Sequence, residues 1–284
     1  MILQFVVNTI NNLTKYQMLK YLQNIQNMSW TPQIPYQYRQ LDLSETETEE
    51  TPSSVLTFGQ NPGSFSWVSR KPQCMQTNAF EADICNKSYI SAVVRAFSEN
   101  RCINNIDETI KYYSAQNVIL CDKANMGCEG GAAFLSLYYL KNVGVPLESC
   151  VPFTLQFSRY RYPGKCPEKC VDGSEMIKFK SGEQKHAYRP DESKILEMLQ
   201  FGVLVTEMDI YDDFAFYQSG IYHHVTTAKI GVKTMTIVGY GVENDLKFWI
   251  MRMDGLVGDQ NGSYFKIVRG TNECNVEQNV YYVS

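Results

Sequence analysis

Cysteine and histidine are the residue types in this sequence best suited to nucleophilic or metal chemistry, and the chain has nine and three of them. The cysteines are irregularly spaced, and no pair of Cys-x-x-Cys units has the arrangement that holds zinc. Two of the histidines, His223 and His224, are adjacent, so a metal centre built on histidine is not expected. The sequence therefore predicts no metal ion and no cofactor.

The composition excludes two classes of partner. The chain has 284 residues, enough for one large domain or two packed lobes, with a formal net charge of −4. It contains no run of lysine and arginine, so no nucleic-acid partner is predicted. No apolar stretch approaches the ~20 residues that a membrane-spanning helix needs. The sequence thus predicts a globular protein without a membrane span.

The N-terminal residues Met1–Val7 are apolar, but the run is short. It has neither a basic region before it nor a small-residue cleavage site after it, as a secretory signal would have. We therefore expect an intracellular location, with a secretory or vesicular location as the alternative.

The first 60 residues have a different pattern from the rest. Apolar residues recur at helical spacing over 8–29, which predicts a helix. An acidic stretch rich in serine, threonine and glutamate follows over 44–54 and is typical of an exposed linker. We place a boundary near residue 60, with a helix and acidic linker over 1–60 and the main domain over 61–284.

Within the main domain, predicted helices come before predicted strands. Helices are predicted over 88–101, from Gly130-Gly131 to about Val143, and from Asp191 to about Gly202. Strands are predicted over 203–208, 234–242, 247–252 and 264–269, where β-branched and aromatic residues are frequent. This order favours an α+β fold with one mainly helical lobe and one mainly β lobe over an alternating α/β sheet.

Six short motifs give the sequence a family resemblance. They are Cys85-Asn-Lys-Ser88-Tyr89, Cys121-Asp with Gly127-Cys128-Glu-Gly130-Gly131, Glu148-Ser-Cys150-Val-Pro-Phe153, Gly220-Ile-Tyr-His-His224, Gly239-Tyr-Gly-Val-Glu-Asn244 and Tyr264-Phe-Lys-Ile-Val-Arg-Gly270. In this order and spacing, from about residue 62 to the end, they resemble the cathepsin B-like branch of the papain-like cysteine proteases. The segment around Trp30-Thr-Pro-Gln-Ile-Pro35 is similar to the short pro-segment of these enzymes.

The resemblance implies a fold, a peptide-binding ridge and a set of disulfides. The fold would be the papain-like one, with two lobes flanking a cleft and an N-terminal extension like a pro-segment. Gly130 and Gly131 would form the ridge that binds substrate backbone. The implied disulfides are Cys74–Cys102, Cys85–Cys128, Cys121–Cys166 and Cys150–Cys170, with Cys274 left over. The alternative is a set of reduced, buried cysteines in a cytosolic protein.

The same resemblance implies that the catalytic residues have been replaced. Papain-like proteases use a cysteine thiolate at a helix N-terminus, a histidine base, an asparagine that orients the histidine, and a glutamine that stabilises the oxyanion. The corresponding residues here are, in that order, Ser88, Lys233, Met253 and Ala82, and Gly255 takes the place of a shielding tryptophan. The resemblance therefore implies a catalytically dead pseudoprotease with a binding or structural role toward a protein or peptide partner.

Two alternatives remain open from the sequence. The first is an active peptidase with a Ser88–Lys233 dyad, which requires a neutral lysine within hydrogen-bond reach of the serine. We prefer a Lys233–Asp83 salt bridge, since Asp83 is expected beside Ser88 and would stabilise the ammonium. The second is a structural subunit docked in a large intracellular assembly, for example a cytoskeletal one, with its cleft plugged by residues 1–55. His224 is expected to be structural, and His186 to lie in a polar loop without a partner.

Overall fold

The computed structural model describes residues 15–25, 28–33, 63–76, 85–154, 164–253 and 264–284. Several sequence predictions fall outside these ranges. They are the start of the helix over 8–29, the linker over 44–54, the boundary near residue 60 and the positions of Ala82, Asp83 and Gly255.

Six α-helices and nine strands lie within the described ranges. The helices are α1 (Lys15–Gln23), α2 (Trp67–Arg70), α3 (Ser88–Ile103), α4 (Ala115–Cys121), α5 (Ala133–Asn142) and α6 (Glu192–Leu199). The strands are β1 (Trp30–Pro32), β2 (Phe65–Ser66), β3 (Gln184–Tyr188), β4 (Leu204–Tyr211), β5 (Tyr217–Tyr222), β6 (Lys229–Glu243), β7 (Leu246–Arg252), β8 (Tyr264–Val268) and β9 (Asn279–Val283). None of the described helices has the length and apolar character needed to cross a membrane, as predicted.

The strands form one sheet in the order β1-β5-β8-β7-β6-β4-β9-β3, with β2 paired to β6. All neighbours are antiparallel except β5 and β8. Helices α3, α4 and α5 precede the β3–β9 part of the chain, which gives the mixed helical and β architecture that the sequence predicted. Strands β1, β2, β3, β5 and β9 were not predicted.

Helix α3 is the central element of the core. The apolar stripe that predicted it, which includes Ile90, Val93 and Phe97, is fully buried. Its opposite face is buried too, since every residue of the helix except Ser88 and Arg101 is buried. A helix buried on all sides is enclosed by other elements, and α3 lies between the helices and strand β6.

The predicted disulfide pairs are those in the structure. Cys74–Cys102, Cys85–Cys128, Cys121–Cys166 and Cys150–Cys170 are bonded, and Cys274 is free and buried. The bonds close loops with sequence separations of 20 to 45 residues. In the chain-entropy account, each such loop contributes about 3–4 kcal/mol to stability.

The N-terminal extension docks on the main domain through β1. Trp30 pairs with Gly220 of β5, and its ring lies 5.4 Å from the ring of Tyr222. The Trp30 indole N–H donates to the His223 carbonyl at 2.9 Å, and the Ile221 N–H donates to the Ser29 carbonyl at 2.7 Å. The extension is therefore held by both aromatic packing and a strand pairing.

His186 corrects one sequence prediction. It lies in strand β3 rather than in a polar loop, because β3 pairs with β9 along its whole length. It also has partners, since its ring stacks on Tyr281 at 4.4 Å and its Nε2 lies 3.2 Å from Asn279 Oδ1. The prediction was wrong because the strand is a polar edge strand without an apolar pattern.

Gly220 is required where the extension docks, so Gly220→Ala should weaken the docking. Its φ is +91°, and a Cβ there would lie 2.7 Å from Trp30 Cα and would overlap the Ser29 carbonyl. Gly173→Ala is the matched control, since Gly173 has φ +85° and open space around it. The control should lose about 1–2 kcal/mol of stability from the backbone conformation alone. Gly220→Ala should lose more stability in denaturant unfolding and expose residues 15–33 to protease, and equal losses would contradict the docking role.

Candidate active site

Ser88 is the first residue of α3, where the sequence placed the nucleophile's position. It is half-buried, and its Oγ accepts a hydrogen bond from the Thr234 backbone N–H of β6 at 3.3 Å. The preceding segment is fixed to the next loop, because Cys85 is bonded to Cys128 and the Asn86 N–H donates to the Cys128 carbonyl at 3.0 Å. The start of α3 thus lies beside both β6 and the loop that carries the glycine pair.

The Gly130-Gly131 ridge needs glycine at both positions, for different reasons. Gly130 has φ +117° with open space around it, a conformation that L side chains rarely adopt. At Gly131 a Cβ would lie 2.8 Å from the Tyr89 ring and would overlap the Asn125 amide. That amide is fixed, since its Oδ1 accepts from the Ala132 N–H at 2.9 Å. The ridge is therefore packed against the residue that follows Ser88.

Lys233 lies in β6 opposite Met208 and next to Thr234, so the fold does bring it to the side of the sheet near Ser88. Burial lowers the pKa of its amine, and no other cause contributes. Within the described ranges its amine has no hydrogen-bond or ion-pair partner, and Ser88 does not bond to it. The salt bridge with Asp83 stays a prediction, since Asp83 lies outside the described residues.

Met253 follows β7 and packs, half-buried, against the core. A thioether is at most a weak acceptor and has no donor, so it cannot orient a base by hydrogen bonding as an asparagine does. Ala82, the fourth predicted position, is outside the described ranges.

The three histidines have partners other than Ser88. His223 Nδ1 lies 2.8 Å from Ser29 Oγ, and His224 Nδ1 lies 2.6 Å from Glu273 Oε1. His186 lies on β3, as described above, and none of the three bonds to Ser88. The contact between His224, Glu273 and Cys274 was not predicted, because only the folded sheet brings these distant positions together.

A polar cavity of about 360 Å³ lies on the face of β4 and β6 that carries Glu207. It is lined by Arg189, Glu207, Asp209, Val232, Asn275, Gln278 and Asn279. Glu207 links the cavity to the ridge, because its Oε1 accepts from the Ala133 N–H, 3.4 Å away, at the start of α5. A peptide lying along Gly131 would therefore pass close to this cavity.

Glu148 is a buried carboxyl close to the residues before Ser88. Its Oε1 accepts from the Phe153 N–H at 2.7 Å, and the Phe153 ring in turn lies 4.3 Å from the Lys87 ammonium. Its Oε2 is buried and has no hydrogen-bond partner among the described residues. Burial raises the pKa of Glu148 to about 7, although the Phe153 N–H acts in the opposite direction.

Comparisons with known proteins identify the family of the chain. Residues 61–284 match the profile of the family described as "Papain family cysteine protease". Cathepsin B-like CP3 of Giardia intestinalis is 29% identical over 268 residues, which are 89% of this chain and 89% of that protein. Cathepsin B-like CP1 of the same organism is 30% identical over 248 residues, covering 85% of this chain and 77% of that protein.

Solved structures confirm the predicted fold. The structure described as "proCathepsin B S9 from Trypanosoma congolense" superposes with a TM-score of 0.77 at 22% identity, covering 96% of this chain and 98% of that one. Digestive procathepsin L2 from Tenebrio molitor gives 0.70 at 21% identity, covering 99% and 90%. The papain-like two-lobe fold is thus shown, and the docked extension is consistent with these proenzyme structures.

Replacing Lys233 by methionine should stabilise the fold. Burial lowers the pKa of Lys233 in the folded state below its ordinary 10.5. At a pH below the folded-state pKa the charged amine therefore destabilises the folded protein, and this destabilisation disappears as the pH rises through 10.5. Lys233→Met should therefore gain most stability near neutral pH and progressively less toward alkaline pH, as measured by urea unfolding at several pH values. Lys229→Met is the control, because Lys229 is paired with Asp209 at 2.7 Å. A loss of stability in Lys233→Met would contradict this expectation and would show that the Lys233 ammonium has a stabilising partner outside the described residues, such as Asp83.

Glu148→Gln should remove one source of pH dependence. The folded-state pKa of Glu148, about 7, exceeds the ordinary 4.5. The contribution of Glu148 to the stability of the wild-type protein is therefore most favourable below pH 4.5 and is lost as the pH rises through 7. The loss amounts to at most about 3 kcal/mol. The stability of Glu148→Gln relative to wild type should rise over this window in unfolding experiments. A difference that does not change with pH would contradict the assignment.

Proposed function

The chain belongs to the papain family of cysteine proteases, with cathepsin B-like relatives, and from this premise we propose that it is a catalytically inactive pseudoprotease that binds an extended peptide segment of a protein partner. The observation that carries the proposal is the state of Ser88. Its Oγ accepts from a backbone N–H, and no basic side chain among the described residues is bonded to it. A serine without a base is a weak nucleophile at neutral pH.

Magnitudes support the loss of catalysis. Losing the nucleophile or the base of a protease leaves only about 10³–10⁴-fold acceleration over water, from binding and the oxyanion hole. Losing one oxyanion donor costs a further factor of about 10²–10³. These factors do not multiply simply, but replacement of all four roles leaves little catalysis.

The ridge and the cavity support a retained binding role. No backbone hydrogen bond involves Gly131 within the described ranges, and the residue is exposed. Its N–H and C=O can therefore pair with an extended peptide, as strand-like recognition requires. The adjacent cavity, with Glu207 and Asp209 in its lining, offers space and hydrogen-bond acceptors for a side chain of that peptide.

A Ser88–Lys233 dyad is the second candidate, and one observation favours it. The lowered pKa of Lys233 increases the neutral fraction that a base requires. A lysine base must also accept the serine proton directly or through one water. The Ser88 Oγ accepts from the Thr234 N–H, and no hydrogen bond joins it to the Lys233 amine, so the inactive assignment is the better supported one.

Turnover and labelling test the proposed inactivity. The full-length chain, Ser88→Ala and Lys233→Met should all fail to cleave a fluorogenic peptide library, and a fluorophosphonate probe should label none of them at residue 88. Turnover or labelling that is present in the wild-type chain and absent from Ser88→Ala would sink the proposal and establish the dyad.

Binding is tested separately with immobilised twelve-residue peptides. The wild-type chain should retain a subset of them, and Val232→Trp, which fills the cavity, should weaken that binding. Val171→Trp is the matched control, since Val171 is also exposed and lies outside the cavity lining. If no peptide is retained, or if Val232→Trp binds as the control does, the peptide-binding role is wrong.

A further inference from the structure

Three side chains of different types meet at one point on the β side of the molecule. His224 follows β5, whereas Glu273 and Cys274 lie in a short 3₁₀ turn, Glu273–Asn275, between β8 and β9. His224 Nδ1 lies 2.6 Å from Glu273 Oε1, and the Cys274 Sγ lies 3.2 Å from the same oxygen and 3.9 Å from Nδ1. An imidazole, a carboxylate and a thiol therefore converge within one coordination sphere.

The surrounding chain holds these groups in place. The His224 ring stacks on Tyr211 at 4.2 Å, and the His224 backbone N–H donates to Glu273 Oε1 at 2.9 Å. The turn is closed by Glu277, whose carboxylate accepts from the Gly270 and Asn272 N–H groups at 2.6 and 2.8 Å. The three groups thus form a preorganised cluster, with His224 as the member open to solvent.

The electrostatics of the cluster do not suit a free thiol used as a nucleophile. The Cys274 thiol is buried, and its Sγ lies 3.2 Å from the Glu273 carboxylate, with the carboxylates of Asp213 and Asp209 in the same region. Asp213 is itself bonded to the Tyr222 hydroxyl at 2.9 Å, and Asp209 is paired with Lys229. A cation at this point would reverse the balance, because each negative group that opposes a thiolate would favour the bound metal.

We propose that His224, Glu273 and Cys274 bind one divalent transition-metal ion, with Zn²⁺ as the preferred ion. Thiolate and imidazole favour zinc over magnesium or calcium, and three protein ligands with one open position suit its tetrahedral geometry. The thiolate and carboxylate balance the charge of the ion. Binding releases the thiol proton and the proton between His224 and Glu273.

The observed spacing requires only a small adjustment. Metal–ligand bonds of about 2.0 Å to nitrogen and oxygen and about 2.3 Å to sulfur place tetrahedral ligand atoms about 3.3–3.6 Å apart. The Sγ–Oε1 and Sγ–Nδ1 separations are already close to this range. The Nδ1–Oε1 pair would have to open by less than about 1 Å, which side-chain rotation at the exposed histidine allows. The site does not depend on the proposed peptide binding.

Metal titration of the purified full-length chain tests the site. We expect one equivalent of Zn²⁺ to bind, measured by equilibrium dialysis and elemental analysis. Co²⁺ should give a thiolate-to-metal charge-transfer absorption. His224→Gln, Glu273→Gln and Cys274→Ser should each weaken Zn²⁺ binding by about 10–100-fold or more. Loss of a residue that only supports a metal ligand already costs about 10–100-fold in affinity. His186→Gln is the matched control and should bind as wild type does, since His186 lies on β3 with Tyr281 and Asn279.

Three outcomes would overturn the proposal. Absence of Zn²⁺ binding to a folded wild-type chain, shown by an unchanged melting temperature with added Zn²⁺, would do so. Binding that persists in all three ligand variants, or a Co²⁺ complex without a sulfur charge-transfer band, would place the metal elsewhere. A variant that fails to fold is recognised by its circular dichroism, and the decision then rests on the other two ligand variants and on the cobalt spectrum of the wild-type chain.

Discussion

The structure depends on the burial of α3 and on the polar contacts that this helix makes with both halves of the molecule. Glu99 and Arg252 form an ion pair of 2.9 Å in which both side chains are almost fully buried. Asn100 donates to the carbonyls of Val203 and Val283 at 2.9 and 2.7 Å and accepts from the Val203 N–H. Breaking a buried pair by removing one partner costs about 3–5 kcal/mol, so these contacts fix the helix against the sheet.

Fixing α3 also fixes the geometry around Ser88. Ser88, the first residue of the helix, lies against β6 because the buried contacts hold the rest of the helix in place. The Cys85–Cys128 bond holds the loop with the glycine ridge on the other side of Ser88. The requirements for Gly131 and Gly220 come from packing, not from chemistry. The fold would therefore hold this geometry in the proposed pseudoprotease even without a catalytic nucleophile and base.

The sequence predicted the structure where an element has a local apolar pattern or where a family motif aligns the chain. The stripe of Ile90, Val93 and Phe97 predicted α3, and the family resemblance paired the cysteines as the structure has them. Strand β3 was missed because Gln184–Tyr188 is polar and half-exposed at the sheet edge, and it is a strand only through its pairing with β9. The cluster of His224 and Cys274 was missed for the same reason, since 50 residues separate them and no local pattern joins them.

If Ser88 stands in place of a cysteine nucleophile, as proposed, its position at the start of α3 makes the exchange consequential. The positive end of a helix dipole stabilises an anion, and a thiolate at the start of α3 would gain from it. A serine hydroxyl stays neutral near pH 7, so the same helix end has no charge to stabilise. The positive end of the helix dipole would repel a cationic lysine on β6. In a papain-like pair the imidazolium is stabilised by the negative charge of the thiolate. In the proposed inactive protein the start of α3 would still favour an anion, and neither a neutral Ser88 nor a cationic Lys233 would supply one.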